Sequence, residues 1–147
     1  SVRLALVAQC ARVLKPGGSI GISFWGTGHL DLRPCFITFA LNSPETHMNG
    51  MRRTNDIARP GVAEAMLEST GFEVTERGGR TSTVEWPDAD TAWRAISSVG
   101  PAVPALEKVG AEVLRPLVME SVEALKDRHG IYRFCNDHQF VIARKPG

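Results

Sequence analysis

Cysteine is scarce in this chain of 147 residues: Cys10, Cys35 and Cys135 are far apart and odd in number. They form no C-x-x-C pair, so the expectation is reduced thiols in a cytoplasmic protein, acting as small buried hydrophobes. Charge of one sign is also missing. Seventeen Lys and Arg against sixteen Asp and Glu leave a formal charge of +1, and nothing favours nucleic acid or an anionic membrane. The pair Arg52-Arg53 is too short to form a basic patch. No run is long and apolar enough to span a bilayer. The stretch Val2 to Leu14 carries Arg3, Gln9 and Arg12 and makes a poor signal-peptide core. His29, His47, His129 and His138 are scattered without ligand spacing, so no metal site is expected. There is no G-x-S-x-G elbow, no arguable Ser/His/Asp grouping, no internal repeat and no low-complexity segment.

What is present is an ordinary globular composition, 43% apolar, in a length that suits one domain spanning residues 1–147. Val2 to Leu14 reads as a helix, with Val2, Leu6, Cys10 and Val13 recurring at helical spacing beside Leu14. Pro16 stops it, and Gly17-Gly18 give a tight turn. Ser19 to Trp25 reads as a strand with Ile20, Ile22 and Phe24 on one face. Phe36 to Leu41 suggests a short helix, and Asn42 to Asp56 a loop of the kind that forms lids. Pro60 opens a helix that runs to about Ser69 and ends at Gly71. Phe72 to Glu76 is a strand, Arg77-Gly78-Gly79 a turn, and Thr81 to Trp86 a hairpin strand. Asp88 caps a helix through about Ser97. Pro101 to Val109 and Ala111 to Arg128 are helical, the second kinked or restarted at Pro116 and ended by Gly130. Tyr132 to Cys135 and His138 to Arg144 are the last strands, broken at Asn136-Asp137.

The run Ala11-Arg-Val-Leu-Lys-Pro-Gly-Gly-Ser-Ile-Gly-Ile-Ser-Phe-Trp25 is the most informative. A helix ends, turns on Pro16-Gly17-Gly18 and enters an apolar strand. It resembles the segment leading into the fifth strand of class I S-adenosylmethionine-dependent methyltransferases, where a helix ending in R-V-L-K-P-G-G commonly precedes the strand. Downstream, Ala63-Glu-Ala-Met-Leu-Glu-Ser-Thr-Gly-Phe-Glu-Val74 resembles the late helix and sixth strand. Trp86-Pro-Asp-Ala-Asp-Thr-Ala-Trp93, followed by Gly100-Pro101, resembles a helical insert of one subgroup. His138-Gln-Phe-Val-Ile-Ala-Arg144 resembles the closing seventh strand. The resemblance covers most of the chain, and the order and spacing of the pieces carry it.

The resemblance implies an α/β fold: the C-terminal part of a Rossmann-like methyltransferase sheet, in which the seventh strand inserts antiparallel between the fifth and sixth. It implies methyl transfer from S-adenosylmethionine to a small molecule. In that superfamily the glycine-rich cofactor loop follows the first strand and the ribose-binding acid ends the second. Both would lie upstream of the residues present, so neither is carried over to any position here. A truncated or fragmentary enzyme, inactive alone and binding no cofactor by itself, is the corresponding expectation.

Phe24-Trp-Gly-Thr-Gly-His29 looks like a nucleotide-binding turn after a strand. The mechanism needs a third glycine and then a helix whose N-terminus faces the ligand. Leu30-Asp-Leu-Arg-Pro34 follows instead, with a proline that discourages immediate helix, so a flexible exit from the strand is expected. Ligands of open α/β sheets sit outside the carboxyl ends of strands. Trp25, His29, Phe36 and Phe39 follow such an end and are the candidate substrate-binding residues, with His29 a general-base candidate. Packing under the loop competes for Trp25, and plain solvation for His29. No catalytic or cofactor-binding residue is assigned. Asp88 and Asp90 are explained by a helix start, Trp86 and Trp93 by anchoring the insert. Met48 and Met51 suit either lid or core.

The Ser19–Trp25 strand would normally pair with a fourth strand. It has no charged residue or proline to protect its edge, which invites another chain. A homodimer through this edge, or pairing with a missing N-terminal half, is expected, with a symmetric dimer the simplest closed solution. A different class of reading is a non-catalytic, self-associating interaction module derived from a methyltransferase. A third is a small ligand-binding α+β domain with the Phe36–Met51 loop over a pocket.

Overall fold

The final strand of the chain lies in the middle of its sheet. The computed structural model describes residues 2–45 and 56–147. Among these, helix α1 (Val2–Val13) leads into strand β1 (Ser19–Leu30), and helix α2 (Arg33–Asn42) follows. After a 3-10 turn at Asp56–Ala58 come α3 (Val62–Glu68) and β2 (Glu73–Trp86). The helices α4 (Ala89–Ser97), α5 (Val103–Val109) and α6 (Ala111–Ser121) precede β3 (Tyr132–Arg144). The strand order is β1-β3-β2. Gly17 N–H bonds Lys145 O at 3.0 Å at one end of the β1–β3 pair, and Asp31 N–H bonds Cys135 O at 3.1 Å at the other. The two strands are therefore antiparallel. Thr75 Oγ1 donates to Ile142 O at 3.2 Å and Thr83 Oγ1 lies 3.5 Å from Cys135 Sγ, so β2 also runs against β3. This α/β arrangement, with the closing strand inserted antiparallel between the other two, is the one expected.

The described chain divides into two units, each with its own core. One comprises residues 2–27, 56–80 and 137–147. Its core holds Val7, Ala63, Leu67, Phe72, Val141 and Ala143, with Ile20, Ile22 and Phe24 of β1 packed against it. The Ile20–Phe24 alternation therefore works as a period-two buried face. Helix α1 packs against α3, but through a different face from the one its periodicity suggested. Val7 is buried with Ala11 and Leu14 beside the core, whereas Leu6 and Val13 are each 66% exposed; the Val2 side chain lies outside the described residues. Lys145 Nζ closes the end of α1 by donating to Ala11 O at 2.6 Å and Leu14 O at 2.7 Å. A cation there suits the negative end of a helix.

The other unit comprises residues 28–45 and 81–136. Cys35 and Phe39 of α2, Ala92 and Ile96 of α4, Ala105 of α5 and Leu114 and Val118 of α6 meet Tyr132 and Phe134 of β3. Trp86 stands edge-on to Phe134, ring centroids 4.7 Å apart. Each large side chain so buried contributes about 1.5–3 kcal/mol. Asp88 caps α4 as expected, accepting from Thr91 N–H at 2.7 Å.

Several further expectations are corrected. β1 does not end at Trp25 but runs to Leu30. Pro34 does not delay a helix; it sits in the first turn of α2, where a missing N–H is harmless. Helix α6 runs through Pro116 without restarting and ends at Ser121, followed by a 3-10 turn at Glu123–Leu125. Most instructive, Arg77-Gly78-Gly79 is not a turn, and Asn136-Asp137 is not a break: β2 and β3 are each continuous. At Gly78 an added Cβ would overlap the Phe140 ring, and at Gly79 it would lie 3.2 Å from His138 O. These glycines mark a close cross-strand approach rather than a reversal of the chain.

Gly78→Ala is therefore expected to lower stability in urea by about 1–3 kcal/mol through overpacking, and adding Phe140→Leu should restore part of it. An unchanged midpoint in the single variant would show that the ring yields freely.

Candidate functional site

The carboxyl end of β1 and the start of α2 frame an open cavity of about 480 Å³, lined by Gly28, His29, Leu30, Arg33, Pro34, Ile37, Thr38 and Ser121. Two chain features build it. The H-L-D spacing places His29 and Asp31 two residues apart at the end of an extended strand, where alternate side chains share a side. Helix α2 then begins at once, carrying Arg33, Pro34, Ile37 and Thr38 past the strand end.

Asp31 is the fixed point of this corner. Its own N–H bonds Cys135 O at 3.1 Å, and its Oδ2 accepts from Cys135 N–H at 2.7 Å. Its Oδ1 lies 2.8 Å from His29 Nε2, with the Asp31 side chain only 15% exposed. Next door, Leu32 N–H donates to Oδ1 of buried Asn136 at 3.1 Å. The turn out of β1 is thus tied to β3 by three hydrogen bonds at two residues. Arg33 Nη2 donates to Gly28 O at 3.3 Å. Thr38 Oγ1 donates to Pro34 O at 3.0 Å, and Ser121 Oγ to Val118 O at 2.7 Å. Below the cavity, the Cys35 thiol is pushed up to about 11, chiefly by burial and against a hydrogen bond with Ser121.

Of the four residues expected to touch substrate, the structure brings only His29 to the cavity. Trp25 is half-buried and stacks on His138 with ring centroids 4.7 Å apart. Phe36 packs partly buried against the core of its unit, 6.5 Å from Phe39. Phe39 has no exposed surface, so packing accounts for it. Asp31, Arg33, Thr38 and Ser121 were not singled out from sequence. The H-L-D alternation was a usable signal for the first; nothing local pointed to Ser121. Met48, Met51 and His47 lie outside the described residues. Among the described residues no group of three His, Cys, Asp or Glu could hold a metal ion, and no helix is long and apolar enough to cross a membrane.

The G-x-G stretch does not fit S-adenosylmethionine. Gly26 and Gly28 belong to β1, and a Cβ at Gly26 would lie 2.9 Å from Asp137 Cβ. That close approach explains the glycine, and it leaves no loop of free N–H groups to cradle a ligand.

No protein-family model matches the chain, and no curated protein matches it. Among solved structures, it is similar to a candidate methyltransferase from Bacillus halodurans, at 18% identity and a TM-score of 0.48 over 98% of this chain. The chain spans 58% of the length of that protein.

Cys35 is fully buried while Cys10 and Cys135 are partly exposed. Since the thiolate is the reactive form, iodoacetamide at neutral pH should label Cys10 and Cys135 well before Cys35 in native protein, read by peptide mass spectrometry. Equal labelling would contradict the burial described.

Proposed function

We propose that this chain is the C-terminal part of a class I S-adenosylmethionine-dependent methyltransferase, contributing the substrate side for a small-molecule methyl acceptor. The observation that carries this reading is the β1-β3-β2 order, with the last strand antiparallel in the centre. It is what the resemblance of Ala11–Trp25, Ala63–Val74 and His138–Arg144 requires. The cavity at the carboxyl end of β1 lies where α/β sheets place ligands. On this reading the cofactor is gripped by a part of the enzyme outside these residues, and methyl transfer needs both parts to hold donor and acceptor in line.

Calorimetric titration with S-adenosylmethionine tests this. The 147 residues alone should give no saturable heat, and the longest product of the same reading frame should bind it. Tight binding by the 147 residues, or none by the longer product, would sink the reading.

A second reading, a self-associating module without catalysis, is favoured by the contrast between the two sheet edges. β2 carries Glu73, Glu76, Arg77, Arg80 and Glu85, whereas β1 has no Asp, Glu, Lys or Arg from Ser19 to Leu30. Charged edges resist pairing and bare ones permit it. On this reading light scattering gives a dimer, and β1 amides facing away from β3 exchange slowly with deuterium. A monomer with rapid exchange there removes it.

A further inference from the structure

The apolar wall of the cavity does not stop at its rim but continues along the seam between α2 and α6. These helices pack against each other and run antiparallel. Ser121, at the end of α6, lines the cavity beside Pro34 and Thr38. Lys108 of α5, the helix that leads into α6, donates to Ser43 O just past the end of α2 at 3.1 Å. Cys35 and Phe39 face inward on α2, as Leu114 and Val118 do on α6. Ile37 and Leu41, one helical turn apart, are exposed on α2, and Val113 and Leu117, also one turn apart, are exposed on α6. Residues at that spacing share a helix face, and Ile37 itself lines the cavity.

Charge along this surface is uneven. Arg33 stands at the cavity end, where its Nη2 donates to Gly28 O at 3.3 Å. Among the described residues it takes part in no ion pair, so the rest of its five-donor fork is uncommitted. A single guanidinium balances a carboxylate and matches its shape, whereas a phosphate dianion needs more than one cation. The start of α2 beside it has no side-chain cap, and that end of a helix favours negative charge. Thr38 and Ser121 already donate their hydroxyl protons to Pro34 O and Val118 O, so neither serves an anion. The exposed Glu112 and Glu120 of α6 disfavour an anionic lipid surface. One cation at one end of an uncharged apolar seam suits a ligand with one anionic end and an apolar body.

We infer that the cavity and the α2–α6 seam bind an aliphatic carboxylic acid, its carboxylate on Arg33 and its chain laid along Ile37, Leu41, Val113 and Leu117. The cavity volume of about 480 Å³ is that of a small-molecule site, and the seam extends it in the direction of a chain rather than a compact ring. Calling this acid the methyl acceptor rests on the methyltransferase reading; its binding does not.

The test titrates the chain with hexanoate, octanoate and decanoate, and with octanol, following amide shifts by nuclear magnetic resonance. Affinity for the acids should rise about twofold per added methylene, as for a chain half removed from water. Arg33→Gln should weaken octanoate about tenfold, the loss of a charge-assisted pair, and leave octanol unchanged. Leu117→Gln should weaken octanoate and octanol alike and flatten the dependence on chain length. Leu6→Gln, at an exposed apolar residue of α1 in the other unit, should change neither. Arg33, Leu117 and Leu6 are all exposed, so the three variants should keep the wild-type far-ultraviolet dichroism. No saturable binding of octanoate, an Arg33→Gln variant that binds it as the wild type does, or a Leu6→Gln variant as impaired as Leu117→Gln overturns the inference. So does a dimer in light scattering that Leu117→Gln converts to monomer, since a second copy then covers the seam. No S-adenosylmethionine is used. A chain that passes here while the longer product binds no cofactor loses the methyltransferase reading and keeps this site; the reverse outcome removes this site alone.

Discussion

The central position of β3 is the constraint on which the rest depends. One strand supplies Tyr132 and Phe134 to one core and Val141 and Ala143 to the other. At one end its Cys135 and Asn136 fix the turn out of β1, and just past its other end Lys145 closes α1. A central strand pairs on both edges, so its buried residues are held by hydrogen bonds as well as by packing. That explains how an extended segment near the end of the chain orders elements far earlier in sequence. It also explains the glycines opposite it: Gly26 and Gly78 meet Asp137 and Phe140 of β3 at distances that leave no room for a side chain.

The same anchoring gives the cavity at the end of β1 its chemical character. A histidine beside a carboxylate on a loose loop would be a surface ion pair of small consequence. Here one carboxylate oxygen of Asp31 accepts from Cys135 N–H, and the Asp31 backbone N–H donates to Cys135 O, so both its main chain and its side chain are held by β3. Its remaining oxygen has one direction to offer.

Much of the architecture was legible in the chain. The Pro-Gly-Gly turn, the Ile20-Ile22-Phe24 alternation, the Asp88 cap and the helical stretch between β2 and β3 all follow from local rules. What misled was glycine. Gly78-Gly79 and the G-x-G at 26–28 carry the composition of turns, and local propensity cannot tell a reversal from a strand that passes close to its neighbour. Helix α1 failed for a related reason. Its apolar residues lie all around the helix, so the buried face, Val7 with Ala11 and Leu14, was decided by what it packed against. Of the site, His29 was visible as a residue type, but Phe39 proved to be core, and Ser121 reaches the cavity from a helix some ninety residues away in the chain.

By itself the sequence determined the class of fold, the number and kind of most elements, and the strand order that its resemblance implied, because periodicity, caps and prolines act over a few residues. Only the tertiary structure decided which glycines were turns, which face of α1 was buried, and that His29 would find Asp31 in a corner held by Cys135. These depend on contacts between residues more than a hundred positions apart, whose pairing is set by the register of β3 and is not encoded in any window of neighbouring residues.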